Sequence, residues 1–342
     1  TTIDKPSDYF VTKLYNGSGS TQSITGLDFQ PDWVWLKRRS SARGHTVYDA
    51  PRGATYGVYP DLTLGQSVGS SALTAFNSDG FSLGADDRVS GSGHTYVSWN
   101  WKANGAGATN EAGSINTIKT SASTTSGFSI VTYTGNGTSG ATIAHGLGVA
   151  PKVVIVKLTS GAGYDWGVYH ASLGNTKNMR LNLTDAVATS TAFWNDTTPT
   201  STLVSLGNNA TTNSSGTYVA YCFAEVKGFS KMGSYTGNGN ADGPFIYTGF
   251  KPAWIMIKSA TTAESWMLFD NKRLGFNPDN DYLLANALDV EPADEEVLDI
   301  VSNGFKPRVT AGTLNTSGQT YIYMAFAEEP LVTSTGIPAT AR

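Results

Sequence analysis

The sequence contains a single cysteine, Cys222, among its 342 residues. One cysteine excludes an intrachain disulfide and a thiolate metal cluster. No uninterrupted apolar run reaches the roughly eighteen residues that a membrane-spanning helix needs, so we expect no membrane insertion. Charged residues make up only 15% of the chain, and 23 basic against 27 acidic residues give a net charge of −4. A global field that recruits nucleic acid is therefore not expected.

Signals for export, cofactors and catalysis are also missing from the sequence. The first ten residues, TTIDKPSDYF, have neither a basic n-region nor an apolar h-region, so we expect no Sec signal there. No GxSxG, HExxH, GxxxxGK or EF-hand pattern occurs. The histidines lack ligand spacing and fall at non-corresponding positions: His45, His94, His145 and His170. We expect no metal site, no cofactor and no catalytic residue.

The chain is instead rich in glycine and aromatic residues, and it repeats itself three times. Related stretches run from Leu14 to Lys37, from Thr132 to Lys157 and from Ser234 to Lys258. In each, a proline is followed six residues later by a lysine at the end of an apolar run, and a later strand is followed by a glycine: Gly53, Gly174 or Gly275. The repeat predicts three modules: module 1 (residues 10–102), module 2 (127–227) and module 3 (228–330).

The connecting segments are poor in large apolar residues. Residues 1–9 and 331–342 are predicted to be short N- and C-terminal attachment arms that do not fold without a partner. Residues 103–126 are rich in Gly, Ala, Ser and Thr, which is typical of an exposed flexible connection or a loose hairpin.

Short apolar runs between Gly, Asn and Ser turns predict strands throughout, with almost no helical periodicity. The run from Trp33 to Leu36 is apolar at every position, as in a strand covered on both sides, and Lys37 is expected to mark its exit to solvent. The predicted fold is all-β, with three tandem β-sandwich modules that are jelly-roll-like and each held by its own core.

Comparison of the copies separates core positions from chemical ones. Trp33 corresponds to Val153 and Trp254, an exchange that is typical of buried positions and favours core tryptophans over sugar-stacking ones. Cys222 corresponds to Asn100 and Ala325, which indicates a small structural residue.

Three sets of residues are candidates for function. Tyr15, Tyr133 and Tyr235 lie beside glycine-rich turns and are candidate contacts for a ligand or receptor if they are exposed. Asp49, Asp270 and the pair Asp86-Asp87 would serve a glycosidase only if two carboxyl groups approached each other, and solvated loops are the favoured interpretation. The third set is charged and consists of candidate contacts between protomers: Arg38, Arg39, Arg43, Glu291, Glu295 and Glu296.

The phrases YTGNG, GFKPAWIMIK, SNGF and TYIYMAFAE occur together in this chain. In this combination the chain resembles the repeat-built virion structural proteins of marine tailed phages, including cyanophages, which are tail-fibre-like or capsid appendage proteins. The resemblance covers residues 10–330. It implies a virion component that is assembled in the host cytoplasm beside other virion proteins, and no catalytic motif of the family can be transferred. A homo-oligomer, with a trimer favoured, is the expectation for such appendages.

The predicted function is therefore that of a non-enzymatic structural protein of a bacteriophage virion, a tail fibre or outer appendage involved in adhesion to the host surface. A capsid decoration protein that stabilises the head is the first alternative. A carbohydrate-binding module and a tailspike-type glycan hydrolase are further alternatives, and a host surface glycan or receptor is a candidate partner.

Overall fold

The computed structural model describes residues 1–161, 163–273, 277, 280–293 and 295–338. Gly275, Asp294 of the acidic loop and residues 339–342 of the C-terminal arm lie outside the described residues. Strands account for 42% of the chain and helices for 3%, so the all-β prediction is confirmed.

Short antiparallel strands make up each module. Module 1 contains β1 Phe10–Asn16, β2 Gln22–Thr25, β3 Trp33–Arg38, β4 Thr46–Asp49, β5 Tyr56–Gly57, β6 Ser67–Val68, β7 Leu73–Asn77, β8 Gly80–Leu83, α1 Asp87–Ser90 and β9 Thr95–Trp101. The segment after it contains β10 Ala108–Asn110 and β11 Thr117–Ser123. Module 2 contains β12 Phe128–Gly135, β13 Ala141–Ala144, β14 Val153–Leu158, β15 Gly167–His170, β16 Lys177–Arg180, β17 Ala188–Thr189, α2 Thr191–Trp194, β18 Leu203–Leu206 and β19 Gly216–Phe223. Module 3 contains β20 Ser230–Thr236, β21 Ile246–Tyr247, β22 Phe250–Ser259, β23 Met267–Asp270, β24 Leu283–Leu284, β25 Leu298–Val301, β26 Gly304–Pro307 and β27 Thr320–Pro330.

The sequence repeat is also a repeat of topology. The main sheet of module 1 has the order β1-β9-β3-β4, and the same order returns as β12-β19-β14-β15 and as β20-β27-β22-β23. A smaller sheet faces each of them, β2-β8-β7, β13-β18 or β21-β26-β25. The jelly-roll-like connectivity and the boundaries of the modules remain predictions.

Each main sheet is covered on both faces. In module 1, Val34 and Leu36 point toward the smaller sheet and pack with Phe81. The alternate residues Trp33 and Trp35 point to the opposite face and enter a different cluster. All six residues of β3 are buried, which confirms the prediction of a strand covered on both sides and of tryptophans that belong to the core.

That second cluster is shared by all three modules. Its centre is aromatic and consists of Trp33, Trp101, Phe128, Tyr221, Phe223, Trp254 and Phe326. Ring centroids of Trp33 and Tyr221 lie 4.8 Å apart, and those of Phe223 and Phe326 lie 5.9 Å apart, so the contacts cross module boundaries. Modules 1 and 2 each have a core cluster of their own between their two sheets, but the expectation that such cores alone hold the modules is wrong, because the main sheets also bury their outer faces against one another.

The connecting segments are also part of this body. Strands β10 and β11 form a hairpin, which confirms the second of the two predicted alternatives for residues 103–126. Strand β11 also pairs with β12, so this hairpin extends the main sheet of module 2. In the N-terminal arm, Ile3 is buried in the shared core and a 3₁₀-helix spans Pro6–Asp8. Asp4 accepts a hydrogen bond from the backbone N–H of Ser334 at 2.7 Å, which ties the two arms together. The prediction that an arm packs only on a partner is wrong for the N-terminal arm.

Candidate functional site

The tyrosines predicted as ligand contacts are structural. Tyr133 is fully buried, and Tyr15 and Tyr235 are partly buried. Each stacks on a tyrosine of the closing strand at centroid distances of 5.0–5.2 Å: Tyr15 on Tyr96, Tyr133 on Tyr218 and Tyr235 on Tyr321. Their hydroxyls donate to the carbonyl oxygens of Val89, Thr212 and Leu314. Burial raises the pKa of all three phenols well above the ordinary value, and the expectation of exposed rings is wrong.

The second tyrosine of each pair holds the loop before its own strand. The hydroxyl of Tyr96 accepts the backbone N–H of Gly91 and donates to the carbonyl of Asp87, both at 2.8 Å. The equivalent bonds link Tyr218 with Ser214 and Ala210, and Tyr321 with Thr316 and Gly312. Because the arrangement occurs in all three modules, the tyrosine pair stabilises the module and is not specific to a ligand.

The charged loops predicted as protomer contacts meet within one chain. Arg39 of module 1 pairs with Glu291 of module 3 at 2.7 Å, and Arg273 binds the other oxygen of the same carboxylate at 2.7 Å. Arg38 and Arg43 pair with Asp87 of their own module. The predicted charge complementarity is present between Arg39 and Glu291, and there it joins two modules of one chain.

The remaining acidic candidates do not take part in that contact. The backbone carbonyl of Glu295 accepts the N–H of Asn280 at 2.7 Å, and the side chain of Glu296 is exposed. Neither carboxylate forms an ion pair within the part of the chain that the structure describes.

Three equivalent hydrogen bonds connect the modules in a closed ring. A ring N–H of one module donates to a backbone carbonyl of another: Trp166 to Tyr59 at 2.8 Å, Trp266 to Arg180 at 2.9 Å and His45 to Leu284 at 2.8 Å. Each donor directly precedes the equivalent strand of its module, β4, β15 or β23. Each acceptor lies opposite the first residue of that strand, so the three donors occupy equivalent positions and so do the three acceptors. Module 2 therefore binds module 1, module 3 binds module 2, and module 1 binds module 3.

The carboxylates considered for glycosidase chemistry belong to the same contacts between modules. Asp49 is bound by Arg52 at 2.6 Å and receives the hydroxyl of Tyr221 from module 2 at 2.8 Å. Asp270 is bound by Arg273 at 2.6 Å and receives the indole N–H of Trp99 from module 1 at 2.9 Å. At the third equivalent position, the Nε2 of His170 lies 3.1 Å from the carbonyl oxygen of Tyr323. Both carboxylates are buried and hydrogen-bonded to a neighbouring module.

Lys37 is fully buried, so its predicted exit to solvent is wrong. The corresponding Lys157 and Lys258 are equally buried. Lys37 donates to the carbonyl of Asp289 in module 3 at 2.8 Å, and Lys157 donates to that of Thr63 in module 1 at 2.7 Å. Burial lowers the pKa of Lys37 and Lys258 to about 8 and that of Lys157 to about 7.

Three histidines are held neutral by burial, which lowers their pKa: His45, His145 and His170. In His45 the Nδ1 accepts the indole N–H of Trp35, so the proton is on Nε2 and is directed at the carbonyl of Leu284. Among the described residues, no group of three His, Cys, Asp or Glu side chains is placed to hold a metal ion. Cys222 is buried, which raises the pKa of its thiol to about 12. No helix within the described ranges is long and apolar enough to cross a membrane.

A cleft of about 620 Å³ lies outside these contacts, between the end of module 2, the edge strand β21 and the C-terminal arm. Its lining includes Glu225, Lys227, Lys231, Thr248 and Tyr247, and the Tyr247 ring is 56% exposed. Phe245, two residues earlier, is 51% exposed.

Sequence reasoning missed this cleft, although a signal was available. Strand register equates Tyr247 with Thr25 of module 1, and Phe245 therefore with Ser23. Aromatic residues at these outward positions are a departure of module 3 from the copy in module 1. Because both side chains are exposed, packing of the core does not explain this difference between the modules.

Comparison with known proteins assigns the chain to a family and not to a function. The family model described as Domain of unknown function (DUF7483) matches residues 5–330. No curated protein and no solved structure matches the sequence.

Proposed function

The chain belongs to the DUF7483 family over residues 5–330. From the resemblance of its repeated phrases to virion proteins of tailed phages, we propose that it is a non-enzymatic structural protein of a bacteriophage virion. In this proposal it is a tail fibre or outer appendage that takes part in adhesion to the host surface. Its location is the virion, to which it is added in the host cytoplasm. A capsid decoration protein that stabilises the head is the alternative location.

The observation that carries the proposal is the closed ring of contacts between modules. The donors Trp166, Trp266 and His45 each bind the carbonyl of another module, so that one chain forms a three-part body around a shared aromatic core. Such a body needs no disulfide, in keeping with a chain that has one cysteine. A body whose three modules are joined to one another by hydrogen bonds and a shared core suits a particle component that must stay folded outside the cell.

The surroundings of the buried carboxylates favour a binding role over a catalytic one. A glycan hydrolase needs two carboxyl groups that can exchange protons with substrate. Asp49 and Asp270 are instead neutralised by Arg52 and Arg273 and are shielded from solvent. The single family model also spans all three modules, which agrees with a unit that acts as one body.

The proposed partners are other virion proteins, further copies of this chain, with a trimer favoured, and a host surface glycan. Arg39 and Glu291 already bind each other within the chain, so copies would meet through other surfaces.

The experiment is localisation on particles of the phage that encodes the chain. An epitope tag is inserted in the exposed turn at residues 136–140. Gold-labelled antibody should decorate the tail or its tip in electron micrographs, and labelling of the head would select the alternative. Untagged particles are the control. Absence of the chain from purified particles by mass spectrometry would reject the proposal.

A further inference from the structure

Two exposed aromatic residues, Phe245 immediately before strand β21 and Tyr247 at the end of that strand, flank the buried Ile246. β21 is the edge strand of its sheet, so no neighbouring strand of that sheet covers its free side. The equivalent residues of module 1 are Ser23 and Thr25, which shows that the strand forms without aromatic side chains here. The two rings are therefore not required by the fold.

Both rings lie beside glycines. The position of a Cβ atom on Gly304 is 3.0 Å from Cε2 of Phe245, and that of a Cβ atom on Gly249 is 3.5 Å from the hydroxyl oxygen of Tyr247. About half of the surface of each aromatic residue is open to solvent. The two rings therefore offer apolar faces to a ligand.

Polar and charged groups surround the Tyr247 end of this platform. Glu225 accepts the backbone N–H of Met232 through Oε1 at 2.9 Å and lies 4.0 Å from the ammonium of Lys231. The exposed Lys227 has no ion pair within the described part of the chain. The cleft therefore combines aromatic surface, hydrogen-bonding groups and an excess of positive charge.

We propose that this cleft binds an acidic saccharide of the kind found in bacterial surface polysaccharides. The apolar face of one sugar ring stacks on Tyr247 in the cleft, and that of a further ring of the glycan stacks on Phe245 two residues earlier in the chain. Glu225 accepts hydrogen bonds from sugar hydroxyls, and Lys227 pairs with a carboxylate of the glycan. This proposal names the ligand that the chain would bind in adhesion to the host surface, and in that respect it rests on the proposed function. An extended peptide added to the edge of β21 is disfavoured, because that strand is only two residues long.

The test is binding of the full chain to an array of bacterial oligosaccharides, neutral and uronic-acid-containing, followed by calorimetry with the best-bound glycan. The test variant is the double substitution Phe245→Ser and Tyr247→Thr, which installs the residues of module 1. It should weaken binding by about tenfold or more and leave the thermal midpoint unchanged. The control is Tyr164→Ala, at a tyrosine of module 2 that is 48% exposed, and it should bind like the parent chain.

A second variant tests the charge. Lys227→Gln should weaken binding of uronic-acid-containing glycans by about tenfold, reduce the salt dependence of that binding and leave neutral glycans unaffected. Absence of binding to every glycan on the array would overturn the inference, as would equal binding by the double variant, or binding of extended peptides in place of glycans. Because localisation on the particle is measured separately, a chain found on virions that binds no glycan would reject this site and leave the proposed function standing.

Discussion

The indole N–H of Trp166 in module 2 donates to the carbonyl oxygen of Tyr59 in module 1 at 2.8 Å, inside the contact between the two modules. The same indole lies under Lys157, whose ammonium is 5.7 Å from the ring centroid. One side chain thus supplies a hydrogen bond, apolar area and a partner for a buried cation. The equivalent positions in the other modules, Trp266 and His45, keep the hydrogen bond, so the donor N–H is the shared requirement.

Replacement of this donor should weaken the ring. Trp166→Phe keeps an aromatic ring but leaves the carbonyl of Tyr59 without its indole partner, and we expect the free energy of unfolding to fall by about 1–3 kcal/mol beyond the loss of volume. Urea denaturation followed by tryptophan fluorescence and circular dichroism measures the change.

The matched control is Trp194→Phe in the core of module 2. The indole N–H of Trp194 has no hydrogen-bond partner among the described residues, so the same loss of volume occurs without a broken bond. Trp194→Phe should therefore cost less than Trp166→Phe. Equal losses in the two variants would show that the hydrogen bond between the modules contributes nothing.

The carboxylate of Glu291 should be a key residue for the contact between modules 3 and 1. Its side chain is only 8% exposed and binds both Arg39 and Arg273, so Glu291→Gln leaves the guanidinium of Arg39 without a counter-charge and that of Arg273 with Asp270 alone. We expect the free energy of unfolding to fall by about 3 kcal/mol.

Glu296→Gln is the control for that substitution, because Glu296 is exposed in the same region of the chain. It should change stability by less than about 0.5 kcal/mol. Sedimentation velocity on both variants shows whether the acidic loop also joins protomers: a change of oligomeric state in Glu291→Gln, without a change in stability, would restore a contact between copies and contradict the intrachain role.

Stability should fall as the solution becomes acidic. Burial lowers the pKa of His170 to about 4, below its ordinary value of about 6.5, so between these values the unfolded chain binds more protons than the folded one. The free energy of unfolding therefore decreases as the pH falls from about 6.5 to about 4. His170→Gln should reduce that slope by up to about 1.4 kcal/mol per pH unit, as measured by urea denaturation across the range. An unchanged slope would contradict the assignment.

Stability should rise with pH on the alkaline side of neutrality. Burial lowers the pKa of Lys157 to about 7, whereas an unfolded lysine titrates near about 10.4, so the unfolded chain again binds more protons in between. Lys37 and Lys258 act in the same direction. Denaturation between about pH 7 and pH 9 should show that the free energy of unfolding rises with pH. Lys157→Met should reduce that slope by up to the amount that corresponds to one bound proton. A slope that is identical in both proteins would exclude Lys157 as its source.

The sequence by itself determined the all-β class and the threefold repeat. Both depend on local features: short apolar runs, and turns such as Asp79-Gly80 and Asn303-Gly304, which join β7 to β8 and β25 to β26 in the structure. Module 2 lacks that turn and has α2 before its corresponding strand. Comparison of the copies also identified the core tryptophans, because exchange of Trp33 for valine is tolerated only where volume and not chemistry is required.

Only the tertiary structure decided what covers the second face of each main sheet. A strand buried on both sides has the same apolar sequence whether its second cover comes from its own module or from a neighbour. The groups that meet between modules are far apart in the chain, 107 residues for Trp166 and Tyr59 and 252 for Arg39 and Glu291, and no local pattern encodes such pairings. For the same reason, the burial of Lys37 and of the tyrosine pairs became evident only from the packed chain.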